Sequence, residues 1–252
     1  MAQSKWIVKI MNVKNDLLNY RNMKIIQNTD MFKFSLDSVL LPNFVTINKK
    51  DKKILDIGCG NAPIPLILST KTQAEIIGVE IQEEVADLAL KSVSINNLDN
   101  QIKIINADIN EISKKWKTEI FDVITCNPPF FKIAEKSNLN LSEYQARARH
   151  EVSLTLEQLV QISCKLLKNK GNLAIVHRPE RLMELLFCLK KYNLEPKKIQ
   201  FVYPNTSKES NIVLIEAKKN GNSGVKILEP IFVHEKDGSY TKQVLKFFEE
   251  GE

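Results

Sequence analysis

A glycine-rich turn next to a carboxylate is the first candidate site in the sequence. The segment 53–57 is short and apolar, contains Asp56, and leads directly into a Gly-Cys-Gly-Asn turn. Glycines in such a turn let the backbone approach a ligand closely, and the carboxyl ends of parallel strands open into a ligand crevice. We therefore predict a nucleotide-type cofactor here, in contact with Asp56, Gly58, Gly60 and Asn61.

Two further carboxylates follow the next two apolar segments. Glu80 ends the segment 75–80, where a carboxylate can accept hydrogen bonds from both hydroxyl groups of a ribose. Asp108 follows the segment 102–106, where it can accept a hydrogen bond from an adenine amino group. The capping of a turn is a simpler role for this aspartate. The cofactor contacts predicted in these two places are Glu80, Ile81, Asp108 and Ile109.

The glycine turn and its carboxylates leave two cofactors open. Together they resemble the S-adenosylmethionine site of class I methyltransferases, but a NAD-type site shares the glycine turn and the ribose carboxylate. Ala62 stands where a dinucleotide site has its third glycine, and prolines follow at 63 and 65. These departures favour S-adenosylmethionine.

A proline-rich tetrapeptide after the apolar segment 121–126 predicts the catalytic centre. It consists of Asn127, Pro128, Pro129 and Phe130. Two consecutive prolines hold the chain extended, so the side-chain oxygen of Asn127 and the carbonyl of Pro128 can face one point. Two acceptors there can hold both hydrogens of a ring-conjugated amine and direct its nitrogen lone pair at the sulfonium methyl group. Phe130 offers a face on which a base can stack, which is worth about 1–3 kcal/mol.

The same tetrapeptide is the signature of amino-methyltransferases that act on adenine N6, cytosine N4, guanine N2 or the glutamine amide. Its alternative reading is an ordinary proline-rich turn. Asn127 is also predicted to contact the cofactor, and Phe131 is a second aromatic residue that either clamps the base or packs locally. The mechanism needs no metal, histidine base or covalent nucleophile.

Arginine is scarce in this lysine-rich chain, and its placement is informative. Arg147 and Arg149 end the long stretch after the apolar segment 121–126, which is predicted as the fourth strand. Arg178 and Arg181 follow the apolar segment 172–177, which is predicted as the fifth. Both places lie at carboxyl ends of parallel strands, so these side chains are predicted to contact RNA phosphates. The alternative is structural: Arg147 or Arg149 could pair with Glu143 or Glu151, and Arg181 lies in the first turn of a helix.

Strands that alternate with helices must position these residues. Apolar segments at 53–57, 75–80, 102–106, 121–126, 172–177, 198–203 and 211–217, with helices predicted at 64–69, 83–96, 155–167 and 180–192, predict an α/β fold. Because only residues 204–210 join the last two strands, these should be antiparallel. We predict a class I, Rossmann-like fold with a seven-stranded, mostly parallel sheet and an antiparallel final strand.

An N-terminal extension, residues 1–48, is predicted to pack on a methyltransferase domain that spans 49–252. Residues 1–22 carry a weak helical pattern, and the first of them are predicted to remain unordered. Residues 23–34 are predicted to form a β-hairpin, followed by a helix that Ser35 or Asp37 caps. The stretch 131–151 is long enough to carry function.

The composition excludes several classes of protein. The chain has 252 residues, a net charge of +6 and 43% hydrophobic residues. The basic charge favours an acidic partner such as nucleic acid, although a lysine-rich composition bias would have the same effect. No apolar run approaches the ~20 residues of a membrane span. The four cysteines form no CxxC pair, so a reduced cytoplasmic setting without a metal site is expected, and nothing demands more than a monomer.

The sequence resembles the bacterial tRNA1(Val) adenine-37 N6-methyltransferase family over most of its length, from about residue 16 to residue 248. The segments that carry the resemblance are 24–27, 34–41, 56–61, Glu80, Asp108, 127–131, 148–151 and 227–234. The resemblance implies methyl transfer from S-adenosylmethionine to N6 of the adenosine beside the anticodon of a valine tRNA. Asn127 and Pro128 would hold the amine, and Phe130, often tyrosine in relatives, would stack on the base.

Three other functions stay open from the residues. A glutamine-amide methyltransferase acting on release factors usually carries a helical N-terminal domain of about 70–80 residues, for which this chain lacks room. A DNA adenine methyltransferase needs a target-recognition domain that is not visible here. A non-catalytic RNA-binding module need not retain Asp56, Glu80 and the tetrapeptide, which are intact.

Overall fold

The computed structural model of the chain describes residues 12–16, 23–28, 35–128 and 154–249. The elements in these ranges are β1 (Asn12–Asp16), β2 (Lys24–Asn28), α1 (Asp37–Phe44), β3 (Lys53–Ile57), α2 (Pro63–Ser69), β4 (Glu75–Glu80), α3 (Glu83–Ile95), β5 (Ile102–Asn106), α4 (Ile109–Lys115), β6 (Phe121–Cys126), α5 (Leu156–Leu166), β7 (Leu167–His177), a 3₁₀ turn (Pro179–Arg181), α6 (Leu182–Lys191), β8 (Leu194–Tyr203), β9 (Ile212–Lys219), β10 (Lys226–Ile227), β11 (Ile231–Phe232) and α7 (Lys242–Glu249).

One mixed sheet forms the centre of the fold. Its strand order is β10-β8-β9-β7-β6-β3-β4-β5, and β11 also pairs with β8. Strand β9 is antiparallel to both of its neighbours, β7 and β8, whereas the other pairs are parallel. The predicted fold class and the reversed strand are confirmed. The two-residue strands β10 and β11 raise the sheet to nine strands, so the reversed strand is not the last in the chain.

Helices cover both faces of this sheet, as the apolar strands require. Neighbouring strand residues belong to different cores: Ile54 faces the core under α1, α2, α3 and α7, and Leu55 faces the core under α5 and α6. Both side chains are 0% exposed. The sheet is therefore held from both sides, which fixes its carboxyl edge as a rigid platform for the candidate site.

The N-terminal hairpin differs from the prediction. Strand β2 occurs where it was predicted, but it pairs antiparallel with Asn12–Asp16, in the stretch that carried a weak helical pattern. The expected partner, residues 31–34, lies outside the described residues. The polar strand Asn12–Asp16 lacks an alternating apolar pattern, so its pairing could not be recognised from periodicity. The helix that follows begins at Asp37 with Leu36 as its N-cap, without a side-chain capping bond.

Helices α4 and α7 were not predicted from the sequence. Helix α4 begins after Asp108, whose side chain accepts a hydrogen bond from the backbone N–H of Asn110. Helix α7 packs Val244 into the core beside α1. Within the described ranges, no helix combines the length and apolar character that crossing a bilayer requires. The division at residue 48 stays a prediction.

Candidate active site

The parallel register brings the predicted site residues to one edge of the sheet. Ile57, the last residue of β3, lies opposite Val79 of β4 and Cys126 of β6. Glu80 lies opposite Asn106 of β5. The glycine turn, Glu80, Asp108 and Asn127 each follow or end one of these strands, so all four lie at the carboxyl edge, which we call the crevice edge.

The glycine turn folds back closely onto β4. The backbone N–H of Gly58 donates a 2.9 Å hydrogen bond to the carbonyl of Val79, and Gly58 and Gly60 have φ values of 69° and 55°. A Cβ at Gly78, beneath the turn, would lie 2.8 Å from Cys59 Sγ. Ala62 also has a positive φ, 71°, immediately before helix α2. The turn therefore depends on left-handed backbone at three places, which glycine adopts most readily.

Glu80, the last residue of β4, connects this strand to the glycine turn. Its side chain is buried, its Oε2 accepts a 3.1 Å hydrogen bond from the backbone N–H of Gly60, and its Oε1 accepts a 3.0 Å bond from that of Gln82. Each carboxylate oxygen has a second lone pair, so both remain able to accept a hydroxyl group. The position and chemistry of Glu80 suit the ribose role predicted for it.

Asp56 lies beneath the turn. It is 0% exposed, and its Oδ1 accepts a 2.6 Å hydrogen bond from Thr125 Oγ1. Its Oδ2 has no hydrogen-bond partner among the described residues. Burial raises the pKa of Asp56 to about 7, the Thr125 hydroxyl opposes this shift, and the charge of Glu80 adds to it. Thr125 had no predicted role. Its contact with Asp56 follows only from the pairing of β3 with β6, in which these two residues lie opposite each other.

The remaining predicted cofactor contacts differ in what their side chains bind and in how exposed they are. Asp108 caps helix α4: its Oδ1 accepts from the backbone N–H and from the side-chain amide of Asn110, at 2.8 and 3.0 Å. The capping alternative therefore describes its contacts here, and the second carboxylate oxygen could still serve a ligand. Asn61 turns its amide to the N-terminal hairpin and donates a 2.9 Å hydrogen bond to the carbonyl of Ile26. Ile81 is 40% exposed and Ile109 is 6% exposed.

Asn127 is half-buried directly after β6. Its Nδ2 lies 3.5 Å from Ser38 Oγ, and its Oδ1 is buried without a hydrogen-bond partner among the described residues. Pro128 follows it and is also half-buried. Sequence reasoning gave Ser38 no role. The other predicted residues of the tetrapeptide and the RNA site lie outside the described residues: Pro129, Phe130, Phe131, Arg147 and Arg149.

Arg178 and Arg181 lie at the crevice edge, where β7 ends. Arg178 Nη1 donates a 2.7 Å hydrogen bond to the carbonyl of Asn211, and Arg181 makes two bonds to Glu184, at 2.9 and 2.7 Å. The ion pair of Arg181 with Glu184 was not predicted, because the alternative for Arg181 was only a place in the first turn of a helix. His177, at the end of β7, is 1% exposed, and burial lowers its pKa to about 4, with the nearby Arg181 adding to the effect. His177 is therefore neutral at physiological pH.

A family model described as a methyltransferase domain matches residues 48–242. The match spans the whole crevice edge.

The chain belongs to the methyltransferase domain family.

Curated relatives agree with this family. A protein of Porphyromonas gingivalis is 27% identical over 243 residues, which cover 93% of this chain and 94% of the relative. A protein of Flavobacterium psychrophilum is 26% identical over 217 residues, which cover 84% of this chain and 91% of the relative. Both are named tRNA1(Val) (adenine(37)-N6)-methyltransferase, the family whose motifs this sequence resembles.

Solved structures share the fold of this methyltransferase. A predicted O-methyltransferase from Agrobacterium tumefaciens superposes with a TM-score of 0.67 at 18% identity, over 85% of this chain and 96% of that one. Geranyl diphosphate C-methyltransferase from Streptomyces coelicolor, solved with S-adenosyl-L-homocysteine, has a TM-score of 0.56 at 12% identity, over 72% and 76%. At these identities the likeness concerns the fold, on which different substrates are methylated.

Proposed function

We propose that this methyltransferase transfers a methyl group from S-adenosylmethionine to N6 of an adenosine in tRNA, namely adenosine 37 beside the anticodon of a valine tRNA. The observation that carries the proposal is Asn127 at the crevice edge, with a buried side-chain oxygen that has no partner among the described residues. The names of the relatives from Porphyromonas gingivalis and Flavobacterium psychrophilum support the choice of substrate.

The residues around the glycine turn fit S-adenosylmethionine. A Cβ built on Gly58 or Gly60 would meet no described atom within 4 Å, so the space over the turn is open to a ligand. Glu80 holds its carboxylate beside that space through the backbone N–H of Gly60. We propose that Glu80 accepts the ribose hydroxyls and that Asp108 accepts the adenine amino group. When bound, S-adenosylmethionine supplies an electrophilic methyl group.

The protein contributes mainly position and electrostatics to this reaction. Asn127 Oδ1 and the carbonyl of Pro128 accept the two N–H groups of adenine N6, which withdraws the nitrogen lone pair from the ring and directs it at the methyl group. After transfer, the nitrogen releases one proton to water. His177, at the end of β7 on the same edge, is a poor proton acceptor, because burial depresses its pKa to about 4.

The proposal is tested with a radiolabelled methyl donor and three unmodified substrates: a valine tRNA transcript, a second tRNA transcript and a release factor. Digested RNA is then analysed for modified nucleosides. Labelled N6-methyladenosine in the valine tRNA alone supports the proposal. Label in the release factor would instead support the glutamine-amide activity. We further propose that the chain acts as a monomer, since one chain supplies every residue assigned here; its mass in solution tests this.

Replacement of Asn127 tests the mechanism itself. Asn127→Ala removes an acceptor that acts on the amine in the transition state, so kcat should fall by about 10²-fold or more while cofactor affinity stays within a few-fold. Turnover and calorimetric binding of S-adenosylhomocysteine measure the two effects. Asn43→Ala is the matched control, because Asn43 is also half-buried but bonds the carbonyl of Val39 within helix α1. Near-normal turnover of Asn127→Ala would refute the amine-holding role.

A further inference from the structure

The first turn of helix α1 lies beside Asn127, the first residue of the tetrapeptide. Ser38 is 6% exposed and lies on α1, whose residues Val39, Leu40 and Leu41 are buried in the core. Ser38 Oγ lies 3.5 Å from Asn127 Nδ2. A half-buried side chain at the end of β6 is thus in contact with a hydroxyl group on a helix that is rigidly packed on the same sheet.

An asparagine side chain has two nearly isosteric orientations, which exchange its oxygen and its nitrogen. Pro128 restricts the backbone of Asn127, but it does not decide between these orientations. In the structure Nδ2 lies on the side of the Ser38 hydroxyl, which accepts from it at 3.5 Å, and Oδ1 lies on the opposite side of the amide. That oxygen is buried and has no partner among the described residues.

From this arrangement we propose that Ser38 is a positioning residue, which orients the Asn127 amide so that its Oδ1 faces the substrate amine. The inference rests on the proposed function, in which Asn127 accepts a hydrogen bond from adenine N6. It extends the site to an element, α1, that precedes the glycine turn in the sequence and had been assigned to the N-terminal extension.

The length of the contact between Ser38 and Asn127 predicts that its loss affects kcat rather than stability. At 3.5 Å the hydrogen bond is long, so it contributes little to folding. Orientation of a catalytic acceptor, in contrast, acts on the reaction barrier, where a small misplacement is costly. Ser38→Ala should therefore lower kcat about tenfold, with the KM for tRNA and the affinity for S-adenosylhomocysteine within twofold of wild type and Tm nearly unchanged.

Four further variants separate orientation from general disturbance. Ser38→Thr keeps the hydroxyl group and should restore kcat to within about threefold of wild type, whereas Ser38→Cys offers a weaker acceptor and should be slow. Ser69→Ala is the matched control: Ser69 is 7% exposed on α2, and its hydroxyl bonds the carbonyl of Leu66 in its own helix. Adding Ser38→Ala to Asn127→Ala should lower kcat no further, because the group to be oriented is gone.

A spectroscopic readout keeps this inference separate from the proposed function. In ¹⁵N-labelled protein, the side-chain amide signal of Asn127, assigned by its loss in Asn127→Ala, should shift in Ser38→Ala and return in Ser38→Thr. Unchanged kcat and an unchanged amide signal in Ser38→Ala, or a Ser38→Thr variant as slow as Ser38→Ala, would overturn the positioning role. If the wild-type protein transfers no methyl group to tRNA, the proposed function fails, and the amide signal alone still decides whether Ser38 orients Asn127.

Discussion

Two buried carboxylates, Asp56 and Glu80, lie at the candidate cofactor site, and their surroundings differ. Glu80 receives backbone N–H groups on both of its oxygens, which is the arrangement that stabilises a negative charge. Asp56 receives only the Thr125 hydroxyl on Oδ1, and its Oδ2 has no partner among the described residues. A buried carboxylate with so few donors favours its protonated form, which agrees with its raised pKa. Asp56 therefore takes up or releases its proton close to neutral pH.

The raised pKa of Asp56 predicts a pH-dependent stability. In the unfolded chain an aspartate has a pKa of about 3.9. In the folded protein the pKa of Asp56 is about 7. Between these values the folded protein keeps a proton that the unfolded chain has released, so this group lowers the free energy of unfolding as pH rises, by an amount on the order of 4 kcal/mol above about pH 7. Asp56→Asn cannot ionise and should lose less stability between about pH 4 and pH 7.

Thermal unfolding at several pH values checks this prediction. The Tm difference between Asp56→Asn and wild type should grow in favour of the variant from about pH 4 to about pH 7 and then stay constant. Asp99→Asn serves as control, because Asp99 is exposed after α3. A Tm difference that is constant over the whole range would show that the pKa of Asp56 is not raised by folding.

At the scale of elements, the sequence predicted the strongly apolar strands and the amphipathic helices. It did not predict the short strands that form only by pairing with a strand distant in the sequence. Strands β3, β4, β5 and β6 have the predicted bounds, because each is a buried apolar run between turn signals. Helix α4 had a recognisable start, since Asp108 is followed three residues later by Glu111. The two-residue strands β10 and β11 have no local signature, because they depend on an edge that β8 provides.

The same limit applies to the site. Residue types at strand ends predicted Asp56, Glu80 and Asn127, and the register places them at one edge. The roles of Ser38 and Thr125 depend on contacts between residues 89 and 69 positions apart, which no spacing in the sequence reveals.

Polar side chains in and directly after helix α3 bind the backbone of strand β2, and this attachment is testable. Asn96 accepts a 3.0 Å hydrogen bond from the backbone N–H of Lys24 and donates a 2.7 Å bond to its carbonyl, and Ser92 Oγ accepts from the N–H of Ile26 at 3.0 Å. Asn96→Ala leaves both backbone groups of Lys24 without these bonds, at a cost of about 1–3 kcal/mol. The loss should be local, because α3 keeps its apolar contacts with the core.

Hydrogen exchange measures this effect. The amides of Lys24 and Ile26 should exchange faster in Asn96→Ala, whereas those of β3 should keep their protection. Asn100→Ala is the control, because Asn100 is exposed in the turn after α3. Equal exchange of the β2 amides in Asn96→Ala and wild type would show that the asparagine does not hold the hairpin.

At the scale of the whole molecule, the parallel sheet brings every described candidate residue to one edge. The glycine turn, Glu80, Asn127 and the end of β7 all lie there, because strands β3, β4, β6 and β7 run in the same direction. A tRNA that presents an adenosine to Asn127 must therefore approach this edge. The net charge of +6 alone would not select it, since lysines are spread over the whole sequence.

Arg181 offers a test of that approach, since it lies at the crevice edge and we propose that it contacts an RNA phosphate. Its guanidinium is bonded to Glu184, with 17% of the side chain exposed, so a phosphate would have to share or replace this partner. Arg181→Gln removes the cation and leaves the negative charge of Glu184 facing the RNA. Affinity should fall, and the slope of log affinity against log salt concentration should flatten by about 0.7–0.9.

Lys114→Gln is the matched control, because Lys114 also pairs with a glutamate three residues away on a helix, Glu111, but lies near the end of α4 that is remote from the crevice edge. Titrations of labelled valine tRNA at four salt concentrations measure both slopes. Equal slopes for Arg181→Gln and wild type would contradict the proposed contact of Arg181 with an RNA phosphate. The flattening should be confined to Arg181→Gln, because counterion release reports only cations that lie against phosphates.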